Sequence, residues 1–158
     1  MSNIFIRRIE KQDFNDILLW RNNLISREMS KETNIIKFQE HEKWFNNIIN
    51  DNKQIPIICI DLSKSIKIAF VNFKLNNTEK SSLISININP LHRNKGYSSL
   101  CLLQSIDFLK KEFVKCENII AEIKDINLPS IKLFKKIGFK KKNSSNEGVA
   151  SYKFIIKK

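Results

Sequence analysis

A short basic loop lies between an alternating strand pattern and a long helical pattern. The strand pattern ends at Pro90, two basic residues follow, Arg93 and Lys95, then Gly96, and the helical pattern begins at Tyr97. The first N–H groups of a helix lack intrahelical partners, and the helix dipole favours negative charge beside them. A glycine lets a phosphate approach the backbone closely. The spacing therefore predicts an anion site, with an ordinary strand-to-helix connection as the alternative.

A second segment has a similarly ordered pattern, 34 residues after Arg93. Asn127 stands at a helix-cap position, Pro129 lies in the first turn, and Gly138-Phe139 follows the last turn. Together with Arg93-x-x-Gly96-x-Ser98, this segment resembles the GNAT superfamily of acetyl-CoA-dependent N-acetyltransferases. The order of predicted elements fits as well, so the resemblance covers residues 1–158 as a single acetyltransferase domain.

The resemblance implies how acetyl-CoA, the co-substrate, is held. Backbone amides of the loop bind the pyrophosphate, the end of the strand pairs with the pantetheine arm, and the amide of Ile88 faces the thioester carbonyl. Asn127 hydrogen-bonds the pantetheine, and no metal is implied. The implied CoA-binding set is Ile86, Ile88, Arg93, Asn94, Lys95, Gly96, Tyr97, Ser98, Asn127 and Phe134.

Two positions depart from the family pattern. Ser98 replaces a Gly or Ala, and a hydroxyl is tolerable at a helix start. Phe134 stands where many members carry a Tyr that protonates the departing CoA thiolate. Because Phe cannot donate a proton, we expect a water, another side chain or an unprotonated thiolate instead. Phe134 then serves as a wall of the thioester pocket.

The N-terminal half contains Trp20-Arg21-Asn22, then Arg27, then His41-x-x-Trp44-Phe45. These motifs resemble a GNAT subgroup of bacterial amino-sugar and sugar-nucleotide acetyltransferases. Arg suits a diphosphate and aromatic rings suit a base or sugar face. The implied acceptor-binding set is Trp20, Arg21, Asn22, Arg27, His41 and Trp44. The structural alternatives are core packing for the two tryptophans, a helix-end cation for Arg21 and a satisfied buried side chain for His41.

The expected reaction is direct attack of a neutral amine on the thioester in a ternary complex, without a covalent enzyme intermediate. We expect orientation of the two reactants to account for a large share of the barrier reduction, and the Ile88 amide to polarise the thioester carbonyl. The predicted strands show no clear carboxylate base, so the candidates for the proton acceptor are His41, His92, or a water held by Asn72 or Asn87. His92 is the other histidine, and its place before the loop favours a loop contact.

Several other functions remain open. A protein or peptide N-terminal acetyltransferase shares part of the acceptor motifs, and a CoA-binding module without turnover would explain Phe134. A polyamine acceptor fits poorly, because a chain of net charge +12 without an evident acidic cluster repels a polycation. Charge alone does not establish a nucleic-acid partner, and 23 lysines against 5 arginines indicate a compositional bias. We expect a small-molecule acceptor, and a homodimer is allowed.

The composition is that of a soluble domain. Of the 158 residues, 42% are hydrophobic and 28% charged, which is ordinary for a globular protein. The apolar runs are short of the roughly 20 residues of a membrane span, and no secretion signal is recognised at the start. Three cysteines without a C-x-x-C pair fit a reducing cytoplasm. We therefore predict a cytoplasmic protein that does not bind membranes.

The chain must position these residues with alternating strands and amphipathic helices. The last predicted strand before the basic loop alternates cleanly, with Ile84, Ile86 and Ile88 on one face. The predicted strands are 4–9, 55–61, 66–75, 83–89, 119–124, 139–142 and 150–157, with a turn at 143–148. The predicted helices are 13–22, 39–50, 97–115 and 128–137, with residues 23–38 irregular or a broken helix. The sum predicts an α/β (α+β) GNAT fold, a mixed sheet of about seven strands flanked by about four helices.

Overall fold

The structure is a computed structural model that describes residues 3–142 and 147–157. Of the predicted turn 143–148, residues 143–146 lie outside this range. The strands are β1 (Ile4–Arg8), β2 (Gln54–Asp61), β3 (Ile66–Leu75), β4 (Ser81–Ile88), β5 (Asn118–Lys124), β6 (Lys140–Lys142) and β7 (Val149–Ile155). The helices are α1 (Phe14–Asn22), α2 (Leu24–Met29), α3 (Phe38–Asn50), α4 (Tyr97–Glu112) and α5 (Leu128–Ile137).

One seven-stranded sheet runs through the molecule in the order β1-β2-β3-β4-β5-β7-β6. Neighbours pair antiparallel except β4 and β5, which pair parallel and are connected through α4. The parallel pair needs such a crossover, because a tight turn joins only antiparallel strands. The predicted mixed seven-stranded sheet is confirmed.

Each face of the sheet is covered by a separate apolar core. α4 supplies Cys101, Leu102, Ile106 and Leu109 to the larger core, which includes all three cysteines and Phe134. On the other face, α1 and α3 pack Ile17, Trp20, Phe45 and Ile48 against Ile58 and Phe70 of the sheet. The two helix layers therefore sandwich the sheet, and burial of these side chains supplies the main favourable term in folding.

The segment 23–38, expected to be irregular or a broken helix, contains the short helix α2. Asn23 caps it, with its side-chain oxygen accepting the Ser26 N–H at 3.4 Å. The described residues therefore contain five α-helices rather than about four. α4 ends at Glu112, three residues before the predicted end, because Phe113 leaves the helical conformation with φ of −131° and ψ of 72°. None of the helices in residues 3–142 and 147–157 is long and apolar enough to cross a membrane.

Candidate active site

The most distinctive feature of the sheet is an opening between β4 and β5. Their pairing covers Ser81 to Ile84 of β4 and ends at the Ile84–Ala121 pair. Beyond it, β4 stays paired with β3 up to Ile88, while β5 stays paired with β7 up to Lys124. The two strands therefore part at their carboxyl ends and leave an edge of each free toward a ligand.

The backbone of β4 directs hydrogen-bonding groups into this opening. The Asn89 N–H donates to Ile68 O at 2.8 Å, while Ile88 lies opposite Ala69. This pattern makes Ile88 a member of a non-hydrogen-bonded pair, whose own N–H and C=O point away from the partner strand. Ile86, two residues earlier, lies opposite Val71 in the same kind of non-hydrogen-bonded pair. Ile86 and Ile88 therefore both present N–H groups to the opening.

The basic loop follows directly at the carboxyl end of β4. Asn94 and Gly96 both have left-handed backbones, with φ of 58° and 80°, and α4 begins at the next residue, Tyr97. Asn and Gly are the residues that adopt this conformation most readily. A Cβ added at Gly96 would find no atom within 4 Å. Asn94, Lys95 and Gly96 are exposed and Ser98 is half-buried, so the loop has room for an anion.

The side chains of the two basic loop residues are already engaged. Arg93 donates to the Asn23 side-chain oxygen at 2.9 Å and to Ser26 Oγ at 2.5 Å. Burial lowers the pKa of Arg93, although a guanidinium remains charged at any ordinary pH. Lys95 Nζ donates back to Leu91 O at 2.9 Å. Arg93 therefore ties the loop to the α1–α2 junction, a contact that the sequence did not predict.

Asn127 and Phe134 lie at the start and in the interior of α5. Asn127 is the cap residue, and its side-chain oxygen accepts the Ser130 N–H at 3.3 Å. Phe134 is 3% exposed and packs edge-on against Phe139, with ring centroids 4.9 Å apart. It belongs to the same core as Ile84 and Ala121, the last pair before the opening.

The chain from α2 to Lys31 crosses the opening on the face opposite α4. Ser26 Oγ donates to Asn87 Oδ1 of β4 at 3.2 Å. Lys124 of β5 donates to Glu28 O at 2.9 Å, and Lys31 forms an ion pair with Glu122 of β5. This segment therefore contacts both strands where they have separated, and it covers one side of the opening.

Glu122 is the sole acidic residue of β4 and β5, and its side chain is 31% exposed. The expectation that the strands carry no clear carboxylate overlooked it. The signal was present, because Ile119, Ala121 and Ile123 alternate with Glu122 and Lys124. An alternating strand places its charged residues on the face away from the core.

The predicted acceptor residues of α1 and α3 form a compact aromatic and cationic cluster. The Arg21 guanidinium lies over the Trp44 ring at 4.1 Å from its centroid, a cation–π contact. Trp20 is 5% exposed and belongs to the core, as its structural alternative predicted. Arg21 and Trp44 are half-buried. Burial lowers the pKa of Arg21.

His41 is fully buried within this cluster. Its Nε2 lies 2.9 Å from Phe14 O and its Nδ1 3.4 Å from Arg21 Nη1. A carbonyl only accepts and a guanidinium only donates, so Nε2 carries the proton and Nδ1 accepts. Burial lowers the pKa of His41, the Phe14 bond opposes this and the Arg21 charge adds to it. A neutral ring with both nitrogens engaged favours the structural alternative over a general base.

Asn22 and Arg27 hold the segment before α3 against the two preceding helices. The Asn22 side chain donates to Ile36 O at 2.9 Å and accepts the Ile36 N–H at 2.8 Å. Arg27 donates to Asn22 O at 3.2 Å and Thr33 O at 2.9 Å. The polar groups of both side chains therefore form hydrogen bonds to backbone atoms. This favours a structural role for Asn22 and Arg27 over contact with an acceptor.

Asn72 lies on β3 opposite Ser85 of β4. Its side-chain amide donates to Gln54 Oε1 at 2.8 Å, while its own Oδ1 is buried without a hydrogen-bond partner in the structure. A buried amide oxygen normally has a partner, which can be an ordered water. The prediction that Asn72 holds a water that accepts the proton therefore remains a hypothesis. Within the described ranges, no three His, Cys, Asp or Glu side chains cluster as metal ligands.

Known proteins resemble this chain along nearly its whole length. A model of the acetyltransferase (GNAT) domain matches residues 3–140. A domain from Methanocaldococcus jannaschii aligns with a TM-score of 0.84 and 24% identity, covering 99% of this chain and 100% of that one. Spermidine N-acetyltransferase from Vibrio cholerae, solved with CoA and spermine, aligns with a TM-score of 0.83 and 20% identity, covering 96% and 95%. At these identities the two structures share the fold.

A curated relative adds a partial match. The uncharacterized protein MJ1062 of Methanocaldococcus jannaschii is 30% identical over 155 residues, and the match spans 92% of this chain but only 30% of that protein. The match to the GNAT domain model over residues 3–140 defines the class of protein, an acetyltransferase. The chain belongs to the GNAT acetyltransferase family, and it is an N-acetyltransferase domain that uses acetyl-CoA.

Proposed function

We propose that this domain acetylates the primary amine of a small molecule that also carries negative charge, of which a nucleotide-linked amino sugar is one member. The observation that carries the proposal is the lining of the opening between β4 and β5. There Lys31 pairs with the one carboxylate, Glu122, and Lys124 lies two residues further along the same face of β5. Arg93 contacts Ser26 in the segment that covers the opening. One carboxylate suits one ammonium group, and these cations suit an anionic remainder of the molecule.

Acetyl-CoA is held by the backbone in this proposal. The N–H groups of residues 94–98 take the pyrophosphate at the start of α4. The free N–H groups of Ile86 and Ile88 pair with the pantetheine and polarise the thioester carbonyl, which favours the tetrahedral transition state. Asn127 uses its oxygen as a helix cap, so its amide N–H₂ group is the donor left for the pantetheine. Phe134 closes the apolar side of the pocket.

Glu122 is the proton acceptor in this proposal. The acceptor arrives as an ammonium and replaces Lys31 as the partner of Glu122. Loss of one proton gives a neutral amine that attacks the thioester carbon. A C–N bond forms, the C–S bond breaks, and the second amine proton leaves with the thiolate or to water. Because a thiolate is a competent leaving group, the step does not require a hydroxyl at Phe134.

The polyamine acceptors of the structural neighbours are the main competing class. Spermine was bound by the Vibrio cholerae enzyme. A chain of net charge +12 repels a polycation over a Debye length of about 10 Å at 0.1 M salt. A peptide amino terminus is the second competitor, and an aminoglycoside the third.

The test is CoA release with a matched panel of amines. A UDP-linked 4-amino sugar, the same free amino sugar, a short peptide and spermidine are compared at equal concentration. We expect kcat/KM for the UDP-linked sugar to exceed that for the free sugar at least tenfold, about one good ion pair, and spermidine to be poorest. Preference for spermidine or the peptide overturns the anionic acceptor but leaves acetyl transfer intact. CoA binding without turnover on any amine would support the alternative hypothesis of a CoA-binding module that does not catalyse transfer.

Glu122→Gln tests the proton acceptor. We expect kcat to fall about 10²–10⁴-fold at pH 7, the usual contribution of a general base. The deficit should shrink as pH approaches the pKa of the acceptor amine, because free amine then needs no base. Asp107→Asn, an exposed change on α4, is the control and should leave kcat unchanged. Full activity of Glu122→Gln at pH 7 would remove this residue from the mechanism.

A further inference from the structure

A buried carboxylate lies at the end of β2, outside the acceptor site proposed above. Asp61 is fully buried. Its Oδ1 accepts the Ser63 N–H at 3.0 Å and the Ser63 hydroxyl at 2.6 Å, and its Oδ2 accepts the Tyr97 hydroxyl at 2.8 Å. The Ser63 bonds lower the pKa of Asp61, burial opposes them and the Tyr97 bond adds to the lowering. Asp61 is therefore an ionised carboxylate, and both of its oxygens accept hydrogen bonds.

The Tyr97 hydroxyl joins this carboxylate to the start of α4. Tyr97 is the first residue of the helix, directly after Gly96, and it is 4% exposed. Its hydroxyl donates to Asp61 and accepts from Lys64 Nζ at 3.0 Å. A hydroxyl has one hydrogen to donate, so the direction of both bonds is fixed. The turn between β2 and β3 is thereby bonded to the first turn of α4.

The neighbouring loop depends on a fixed helix start. Asn94 and Gly96 place two left-handed residues within three positions, so small changes at residue 97 redirect several N–H groups at once. A loop that is ordered before the ligand arrives avoids part of the entropic cost of binding. Aligned backbone donors also need support from the residues behind them. Asp61 and Tyr97 supply that support from the core side.

We propose that Asp61 is a positioning residue for acetyl-CoA, acting through the Tyr97 hydroxyl to hold the loop 93–98 in its binding conformation. The proposal rests on the assignment of this loop as the pyrophosphate site. Asp61 does not touch the co-substrate. Tyr97 then has two roles: its backbone N–H binds the pyrophosphate, and its hydroxyl holds the start of α4 in place.

The first test uses Tyr97→Phe, which removes only the hydroxyl and keeps the ring. We expect the Kd and KM for acetyl-CoA to rise about tenfold, the effect of losing one hydrogen bond to a charged group, with kcat at saturation unchanged. Asp61→Asn should show the same pattern, and the double variant should be no worse than the more severe single variant, because both remove one bond. An unchanged Kd in both single variants overturns the proposal.

The control is Asp51→Asn, at the end of α3 and three residues before β2 begins. Asp51 also accepts the N–H of the residue two positions ahead, Lys53, at 2.9 Å, but it does not contact α4. We expect Asp51→Asn to leave the Kd for acetyl-CoA unchanged. If it weakens binding as much as Asp61→Asn does, the effect is general destabilisation and the proposal fails.

Hydrogen exchange of the free protein gives a readout that needs no ligand. The amides of residues 94–98 should exchange faster in Tyr97→Phe and Asp61→Asn than in the parent, and at the parent rate in Asp51→Asn. Unchanged exchange in the first two variants overturns the proposal. Gly96→Ala separates the underlying assignment: if it binds acetyl-CoA normally, the loop is not the pyrophosphate site, and both proposals fall.

Discussion

Asp13 is a fully buried carboxylate, and its partners decide its effect on stability. Asp13 occupies the N-cap position of α1, but its side chain makes no capping hydrogen bond to that helix. It instead pairs with Arg7 at 2.6 Å and Lys67 at 2.8 Å. Burial opposes its ionisation, but the bonds from Arg7 and Lys67 outweigh it and hold the pKa of Asp13 below its usual value.

Asp13→Asn is expected to lower the free energy of unfolding by about 3 kcal/mol at pH 7, because it leaves two cations without their shared buried partner. Asp16→Asn, the control, removes a 41% exposed partner of Lys67 and should cost less than about 1 kcal/mol. Urea unfolding measures both.

The pH dependence of the Asp13 effect follows from the sign of its shift. A carboxyl with a lowered folded pKa stabilises fully above its unfolded pKa of about 3.9 and loses that contribution as pH falls toward the folded value. The difference between the parent and Asp13→Asn should therefore be constant above about pH 5 and shrink in acid. A difference that grows on acidification would contradict the assignment.

Two glycines, one before the start of α4 and one after the end of α5, share a left-handed backbone. Gly96 ends the loop with φ of 80°, and Gly138 ends α5 with φ of 114°. An added Cβ at Gly138 would make ordinary contact with the Phe154 ring at 3.5 Å, whereas at Gly96 it would meet no atom within 4 Å. The two glycines therefore share a backbone penalty but differ in what occupies the space beside them.

Gly96→Ala and Gly138→Ala form a matched pair for this reason. Each should lower the free energy of unfolding by about 1–2 kcal/mol, the cost of a left-handed side chain. Only Gly96→Ala should lose acetyl-CoA affinity, by at least tenfold on our proposal that the pyrophosphate lies against Gly96. Isothermal titration and thermal unfolding separate the two effects. Equal acetyl-CoA affinity in both variants would contradict the loop assignment.

The charge of the whole molecule acts on its ligands at a distance. The net charge is +12, and such a field raises the local concentration of anions and their association rate. Acetyl-CoA is a polyanion, so its capture should depend on ionic strength more than its chemistry does.

We expect the KM for acetyl-CoA to rise severalfold between about 0.02 and 0.3 M salt, over which screening shortens from about 20 Å to about 6 Å. kcat at saturation should stay constant. S-acetylpantetheine, which lacks the phosphates, is the matched control, and its KM should be nearly independent of salt. A salt-independent KM for acetyl-CoA would show that the field does not contribute to binding.

The sequence alone predicted the fold, and the acetyl-CoA site that it predicts consists mainly of backbone groups. Alternation in β4, the glycine loop and the Asn127 cap are local patterns, and local patterns are set by neighbours in the chain. The opening after Ile84 then brings Ile86, Ile88 and the loop to one edge of the sheet. These expectations depended on backbone groups, whose direction follows from the element that contains them.

Only the tertiary structure decided what the side chains contact. Arg27 bonds to backbone, His41 is neutral between Phe14 and Arg21, and Arg93 reaches across to α1 and α2. Glu122 became a candidate because the chain near Lys31 folds over β5, a contact between residues 91 positions apart. Long side chains satisfy their charges with whichever groups the packing brings near, and sequence spacing does not encode those distances.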